Sequence, residues 1–316
     1  MLFVPLWLIF PLMAFDQISE GRDRLILNPA ERRQSIIEFM RSAERELSLS
    51  MFRCDDFGII DEVAAAVQRG VRVRVLITQR ARGWRERLKE LTALLRSIGA
   101  EIRPYEDPVM KYHAKYVIAD DAQAIVTSLN FTRKCFVETC DFIVVTHDAN
   151  VISGLKQLFE NDFHTPSLPL PPITERLIVG PDDSRARLTD ILSMAQTSIR
   201  IMDHRVTDSA MLDLLATKQR QGVNVQVLGS TALGGLISHG RMALIDERTA
   251  IIGSIHLSPP SLDMRREVAI LIEESTVVTE LYDYFKNLAM SETNLMNFRT
   301  KPALISPEDE DEEEDE

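Results

Sequence analysis

With 316 residues and 45% hydrophobic content, the chain can bury a real core as one large domain or two of ordinary size. The net charge of −12 is mostly one run, EDEDEEEDE at Glu308–Glu316; without it the rest carries about −3, which argues against the strongly basic body of a general nucleic-acid binder. Three cysteines, Cys54, Cys135 and Cys140, exclude a disulfide framework and paired C-x-x-C metal spacing, and are expected to be buried, idle thiols.

The first 15 residues, MLFVPLWLIFPLMAF, are apolar, and the first basic residue is Arg22. No positive charge precedes the stretch, as it would in a secretory signal. At about 1.5 Å per residue it reaches ~22 Å, short of a ~30 Å hydrocarbon core. Three readings stay open: an atypical signal or anchor, a segment lying on a membrane or on the body, or a misassigned start. Arg22, Arg24, Arg32 and Arg33 follow, which would favour a cytoplasmic body if the stretch inserted, and a cytoplasmic or membrane-associated protein is expected.

From Arg24 the pattern is β-α-β-α-β. A short strand and turn (RLILNP) leads to a helix over Glu31–Glu46, a strand over Leu47–Phe52, a helix over Ile59–Arg69 stopped by Gly70, and a strand over Val71–Thr78. This order argues mostly parallel sheets with helices on their faces. The same pattern returns 152 residues later. RLIVGP at Arg176 repeats RLILNP, Ile199–Met202 repeats Leu47–Ser50, and QRQGVNVQVL at Gln219 repeats VQRGVRVRVL at Val67.

The first copy then carries 26 extra residues, with an amphipathic helix over Trp84–Ile98 and a strand over Ala100–Arg103. Residues 77–112 hold Arg80, Arg82, Arg85, Arg87, Lys89, Arg96, Arg103 and Lys111. They read either as a basic wall for an anionic substrate or as a solvated helix face with Arg–Glu pairs. Paired strands follow in each copy: Tyr116–Ala119 with Met242–Ile245, Ala124–Thr127 with Ala250–Gly253, and Phe142–Val145 with Val268–Ile272. Helices over Val151–Phe163 and Val277–Leu288 close the copies. The expected organisation is an apolar segment (1–23), a first half (24–163), a Pro-rich linker (164–175), a second half (176–292) and a disordered acidic tail (302–316).

The chemistry concentrates where the copies run in register at an offset of 126. His113, Lys115, Asp120, Ser128, Asn130 and Asp141 are followed by His239, Arg241, Asp246, Ser254, His256 and Glu267. Two facing histidines can split the work of phosphodiester cleavage, one attacking phosphorus and the other protonating the leaving alkoxide and later activating water. Lys115 and Arg241, two residues on along a strand, share their histidine's face and can hold the non-bridging oxygens. Asp141 and Glu267 are candidates to fix the histidine tautomers. His147, His164 and His204 have no counterparts in the repeat and are expected at the surface.

The pattern His-x-Lys-x4-Asp, then Ser-x-Asn and an acid, resembles the phospholipase D superfamily, which includes phospholipases D, cardiolipin and phosphatidylserine synthases, some endonucleases and tyrosyl-DNA phosphodiesterase. The resemblance spans residues 24–292. It implies an α/β protein of two duplicated α/β/α sandwich halves about a pseudo-two-fold axis, with the active site at their interface and no cofactor or metal. It further implies His113 as nucleophile through a phosphohistidine, His239 as acid and base, and Lys115, Ser128, Asn130, Arg241 and Ser254 on phosphate. Asp120 and Asp246 belong to the motif, Asp120 as a structural support. The first copy departs only at Thr127, where glycine is usual. The second has Arg241 for lysine and His256 for asparagine, and reads either as a working variant or as a decayed copy; decay would put two first motifs together in a homodimer instead of a monomer with two working halves. The implied activity is hydrolysis of phospholipid phosphodiesters with possible membrane contact. Alternatives are a nuclease, a phosphatidyltransferase such as a cardiolipin synthase, and a non-catalytic phosphate-binding scaffold.

Overall fold

A computed structural model describes residues 21–107, 110–164 and 170–291. The apolar start up to residue 20, residues 165–169 of the Pro-rich linker and the acidic tail lie outside the described residues. No described helix is long and apolar enough to cross a membrane.

The first half runs β1 (Asp23–Ile26), α1 (Pro29–Arg41), β2 (Glu46–Met51), α2 (Phe57–Gln68), β3 (Arg72–Thr78), α3 (Arg85–Ile98), β4 (Glu101–Tyr105), β5 (Lys111–Tyr112), β6 (Tyr116–Ala119), β7 (Gln123–Thr127), α4 (Arg133–Val137), β8 (Thr139–Cys140), β9 (Ile143–Thr146) and α5 (Ala149–His164). The second runs β10 (Leu177–Gly180), α6 (Ser184–Met194), β11 (Ser198–Met202), α7 (Ser209–Arg220), β12 (Asn224–Leu228), β13 (Ala232–Leu233), β14 (Leu236–Ser238), β15 (Arg241–Ile245), β16 (Thr249–Gly253), α8 (Pro259–Asp263), β17 (Arg265–Ile272) and α9 (Ser275–Ser291).

Each half has its own sheet, ordered β1-β9-β7-β6-β2-β3-β4 and β10-β17-β16-β15-β11-β12. The sheets are mixed, where mostly parallel ones were expected. Strands joined through α2 and α3 (β2-β3-β4), and β11-β12 through α7, are parallel. Strands joined by tight turns (β6-β7, β15-β16), and those added beside them, are antiparallel because a three-residue turn must reverse the chain.

The duplication extends to helix caps. Asp56 caps α2 through the Ile59 amide and grips Arg33 with both carboxylate oxygens at 2.9 Å. Asp208, 152 residues on, caps α7 through Met211 and grips Arg185 at 2.7 and 3.1 Å. Helix α1 ends at Arg41, short of the expected Glu46, because the Asp120 carboxylate takes the amides of Glu44, Arg45 and Glu46 and turns the chain into β2.

Three cores result. Ile36, Met40, Ile59, Val63 and Leu88 pack the outer helices on the first sheet, and Leu188, Leu192, Met211 and Leu215 do so on the second. A third core contains Leu155 and Phe159 of α5, Leu281 and Phe285 of α9, and sheet residues of both halves such as Val126 and Ile252. This shared core fixes one half against the other at the strand ends where the motifs sit.

Candidate active site

Two very short strands cross between the halves. β5 pairs in parallel with the start of β17, and the His113 amide continues the ladder to the Arg266 carbonyl at 2.9 Å. That lays His113 beside Glu267, with Nδ1 donating to Oε2 at 3.0 Å. The mirror arrangement uses β14, which pairs with β8, and the Gly240 amide, which donates to the Cys140 carbonyl at 2.6 Å. His239 thereby reaches Asp141, with Nδ1 2.8 and 3.0 Å from its two oxygens. A Cβ on Gly240 would stand 2.5 Å from that same carbonyl, so the approach needs glycine. Each histidine is thus held by the acid of the other copy, and both present Nε2 away from their acid.

The two pairs differ electrically. Burial pushes the His113 pKa well below its usual value, and the positive charges of Lys115, Arg241 and Arg265 push it further. Burial also raises Glu267. His113 therefore stays neutral. Burial lowers His239 too, but Asp141 acts against it. Asp141 is itself pushed up by burial, yet His239, Ser128 and Thr139 outweigh that and hold it well below the usual carboxylate range. The fixed negative charge favours a proton on His239 more than on His113.

Lys115 is fully buried, donates to the His113 carbonyl at 2.8 Å and lies 5.2 Å from the Phe52 ring centroid. In the second copy Arg241 Nε donates to His256 Nε2 at 2.8 Å, Nη2 contacts the same nitrogen, and His256 Nδ1 donates to Asp203 at 2.6 Å. Burial, then Arg241, lowers the His256 pKa, which keeps its Nε2 an acceptor. The two departures in this copy fit one another. His204 is half-buried instead of exposed, packing edge-on to His256 at 5.2 Å. Asn130 places Nδ2 3.5 Å from His239 Nε2.

Several expected site residues do other work. Ser128 Oγ donates to Asp141 at 2.6 Å and accepts from the Phe142 amide, while Ser254 Oγ accepts from the Val268 amide. Both are fully buried and position strands and acids. Asp120 and Asp246 are not at the reaction centre. They stand at the far ends of β6 and β15, ~17 Å along the strand from Lys115 and Arg241 at about 3.3 Å per residue. Both begin turns with left-handed backbone, φ 54° at each, and their carboxylates accept three successive amides across the sheet. Thr127 uses its hydroxyl to bridge the Phe142 carbonyl and the Leu129 amide. At the equivalent Gly253 a Cβ would lie 2.2 Å from the Val268 carbonyl.

Four residues that matter have no place in the sequence reading. Arg53 and Arg205 follow β2 and β11 at the 152 offset and are both buried; extending the repeat comparison by three residues reveals them. Arg265, two residues before Glu267, is buried on the same strand face. Asp203 supports His256. A cavity of about 400 Å³ opens beside His113, lined by Arg53 and Arg265 together with Arg80, Arg82, Arg85 and Lys111. Half of the eight basic residues of the insert thus reach the site. Lys89 instead pairs with Glu86, and Arg87 lies over Trp84.

One group of described residues could ligate a metal: Cys135, Asp141 and His239, whose ligand atoms lie within 4.8 Å of one another. It fits poorly. Asp141 is committed to His239, Ser128 and Thr139, and burial pushes the Cys135 thiol up to about 11. The three cysteines are free and buried.

A mixed α/β duplication with two His-x-Lys/Arg motifs meeting at its interface is a phospholipase D architecture. The family model for cardiolipin synthase, PLD-like domain, matches residues 36–163 and 230–289, and the chain belongs to that phospholipase D-like family. Its fold is similar to polyphosphate kinase from Porphyromonas gingivalis (TM-score 0.72, 18% identity), covering 89% of this chain but 51% of that one, so the chain spans about half of that enzyme's length. It is also similar to phosphatidylserine synthase from Haemophilus influenzae (TM-score 0.68, 13% identity), with 88% of each chain covered. At these identities the likeness is one of fold. No curated protein matches the chain by sequence.

Proposed function

We propose that the protein is a metal-independent phosphodiesterase of phospholipase D type that acts on phospholipid phosphodiesters. The crossed histidine–acid pairs carry the reading. His113 Nε2 attacks phosphorus, forming a P–N bond as the P–O bond to the leaving alkoxide breaks. His239 donates its Nε2 proton to that alkoxide. It then takes a proton from water, whose oxygen attacks phosphorus and expels His113. Lys115 and Arg241 hold the non-bridging oxygens, where charge develops, and Asn130 stands beside the acid. The site supplies its own nucleophile, acid and counter-charge, so no bound ion is required for any of these steps. The family's description as cardiolipin synthase-like supports a second reading, in which an alcohol replaces water and the reaction becomes phosphatidyl transfer.

The test is hydrolysis of bis(p-nitrophenyl) phosphate in excess EDTA. Wild type is expected to turn over and His113→Ala to be inactive, while His239→Ala should lose about 10²–10⁴ in rate. Turnover abolished by EDTA, or substantial turnover by His113→Ala, would overturn the mechanism.

A further inference from the structure

The cavity beside His113 holds more positive charge than one phosphodiester explains. A diester carries a single negative charge, and Lys115 and Arg241 already stand at the reacting histidines. Arg53 and Arg265 add two buried guanidiniums at the cavity floor. Arg53 is set in place between aromatic faces, 5.1 Å from the Phe52 ring and 5.3 Å from Trp84. Arg80, Arg82, Arg85 and Lys111 form an exposed rim. Among the described residues, no carboxylate lines the cavity. The rim residues come from the stretch between β3 and β6, which is 26 residues longer than its counterpart at 229–238, where no basic residue stands, so the charge is one-sided and lies on the nucleophile's side. A choline or ethanolamine head group would meet this wall as a like charge.

We infer that this cavity is a subsite for a second phosphoryl group, so that the substrate is a phosphodiester bearing a further phosphate or pyrophosphate close to the scissile bond. The inference rests on the phosphodiester reading of the neighbouring histidines. Guanidinium groups suit this task because each can meet two phosphate oxygens at once. At about 400 Å³ the cavity admits a phosphorylated end while the remainder of the substrate stays outside.

Calorimetric titration of the intact protein needs no turnover, so its failure is separable from failure of diester cleavage. The probes are inorganic pyrophosphate, inorganic phosphate and citrate, the last a polyanion without phosphorus. Pyrophosphate is expected to bind about tenfold or more tighter than either of the others. In Arg80→Ala/Arg82→Ala, two exposed positions, the preference should shrink to within about twofold, with an unchanged thermal transition showing that the fold is intact. Citrate matching pyrophosphate would mean only a general positive field. That result, equal binding of phosphate and pyrophosphate, or a preference surviving the double substitution would each overturn the subsite. The source of the second phosphate is read by displacing bound pyrophosphate. Phosphatidylcholine vesicles containing phosphatidylinositol 4-phosphate would assign it to a lipid head group, and a 5′-phosphorylated thymidine dinucleotide to a soluble nucleotide. Displacement by neither would overturn its role in substrate binding.

Discussion

Arg241 and His256 are each unusual alone and consistent together. An arginine reaches further than a lysine and needs its fork held. His256, backed by Asp203, grips Nε and one Nη and points the group at the site. Arg241→Lys should therefore lower kcat/KM by about tenfold or more, and adding His256→Asn should recover part of the loss, with a coupling of roughly 0.5–3 kcal/mol. Strictly additive losses in the cycle would sink the pairing. Arg241→Ala should depress activity strongly with the fold intact; a wild-type rate would mean a decayed second motif. Spacing in the sequence revealed both residues but not their contact, because Asp203 stands just after a different strand, β11, and its counterpart in the first copy is Met51. Thr127 was likewise visible only as a departure. Its reason, a hydroxyl bridging two backbone groups, depends on the adjoining strand.

The elements legible in the sequence were those with a period. Long helices and four- to eight-residue buried strands announce themselves by spacing, and the 152-residue offset exposed the duplication. The elements that build the site do not. β5, β8 and β14 are two or three residues long and have no pattern to read, yet they decide which acid meets which histidine. Helix α1 adds a hidden anchor. Arg32 is fully buried and donates to the carbonyls of Leu27, Cys135, Thr139 and Asp141, tying the Asp141 segment to the outer layer. Arg32→Met strips donors from several buried carbonyls and should cost about 3 kcal/mol or more. For a molecule of this size that lowers the thermal midpoint by roughly 6 °C or more. An unchanged melting curve would show that the anchor is dispensable.

Across the whole molecule, the buried histidines make stability depend on pH. The folded-state pKa values of His113 and His256 are depressed, so the unfolded chain binds more protons as pH falls below about 6.5. Their contribution is complete above that value and is lost as pH falls through the window beneath it, at up to about 1.4 kcal/mol per pH unit for each histidine. Glu267, raised by burial, takes up its proton in the folded state and opposes the trend at lower pH. His256→Gln should flatten the fall in urea midpoint between pH 6.5 and 5.5, and an unaltered slope would show that His256 is not buried neutral. The basic insert also belongs to this scale, since its charge was plain in the sequence but its division between cavity rim and solvent required the fold.

The crossed strands bear on how the two copies can change over time. After a duplication, each copy is ordinarily free to drift as a unit. Here the lineage of His113 is tied to Glu267 and that of His239 to Asp141, so the heritable partners lie on opposite sides of the repeat. A copy moved into another chain would leave its histidine with a foreign acid, and the two halves are bound to share one ancestry from here on.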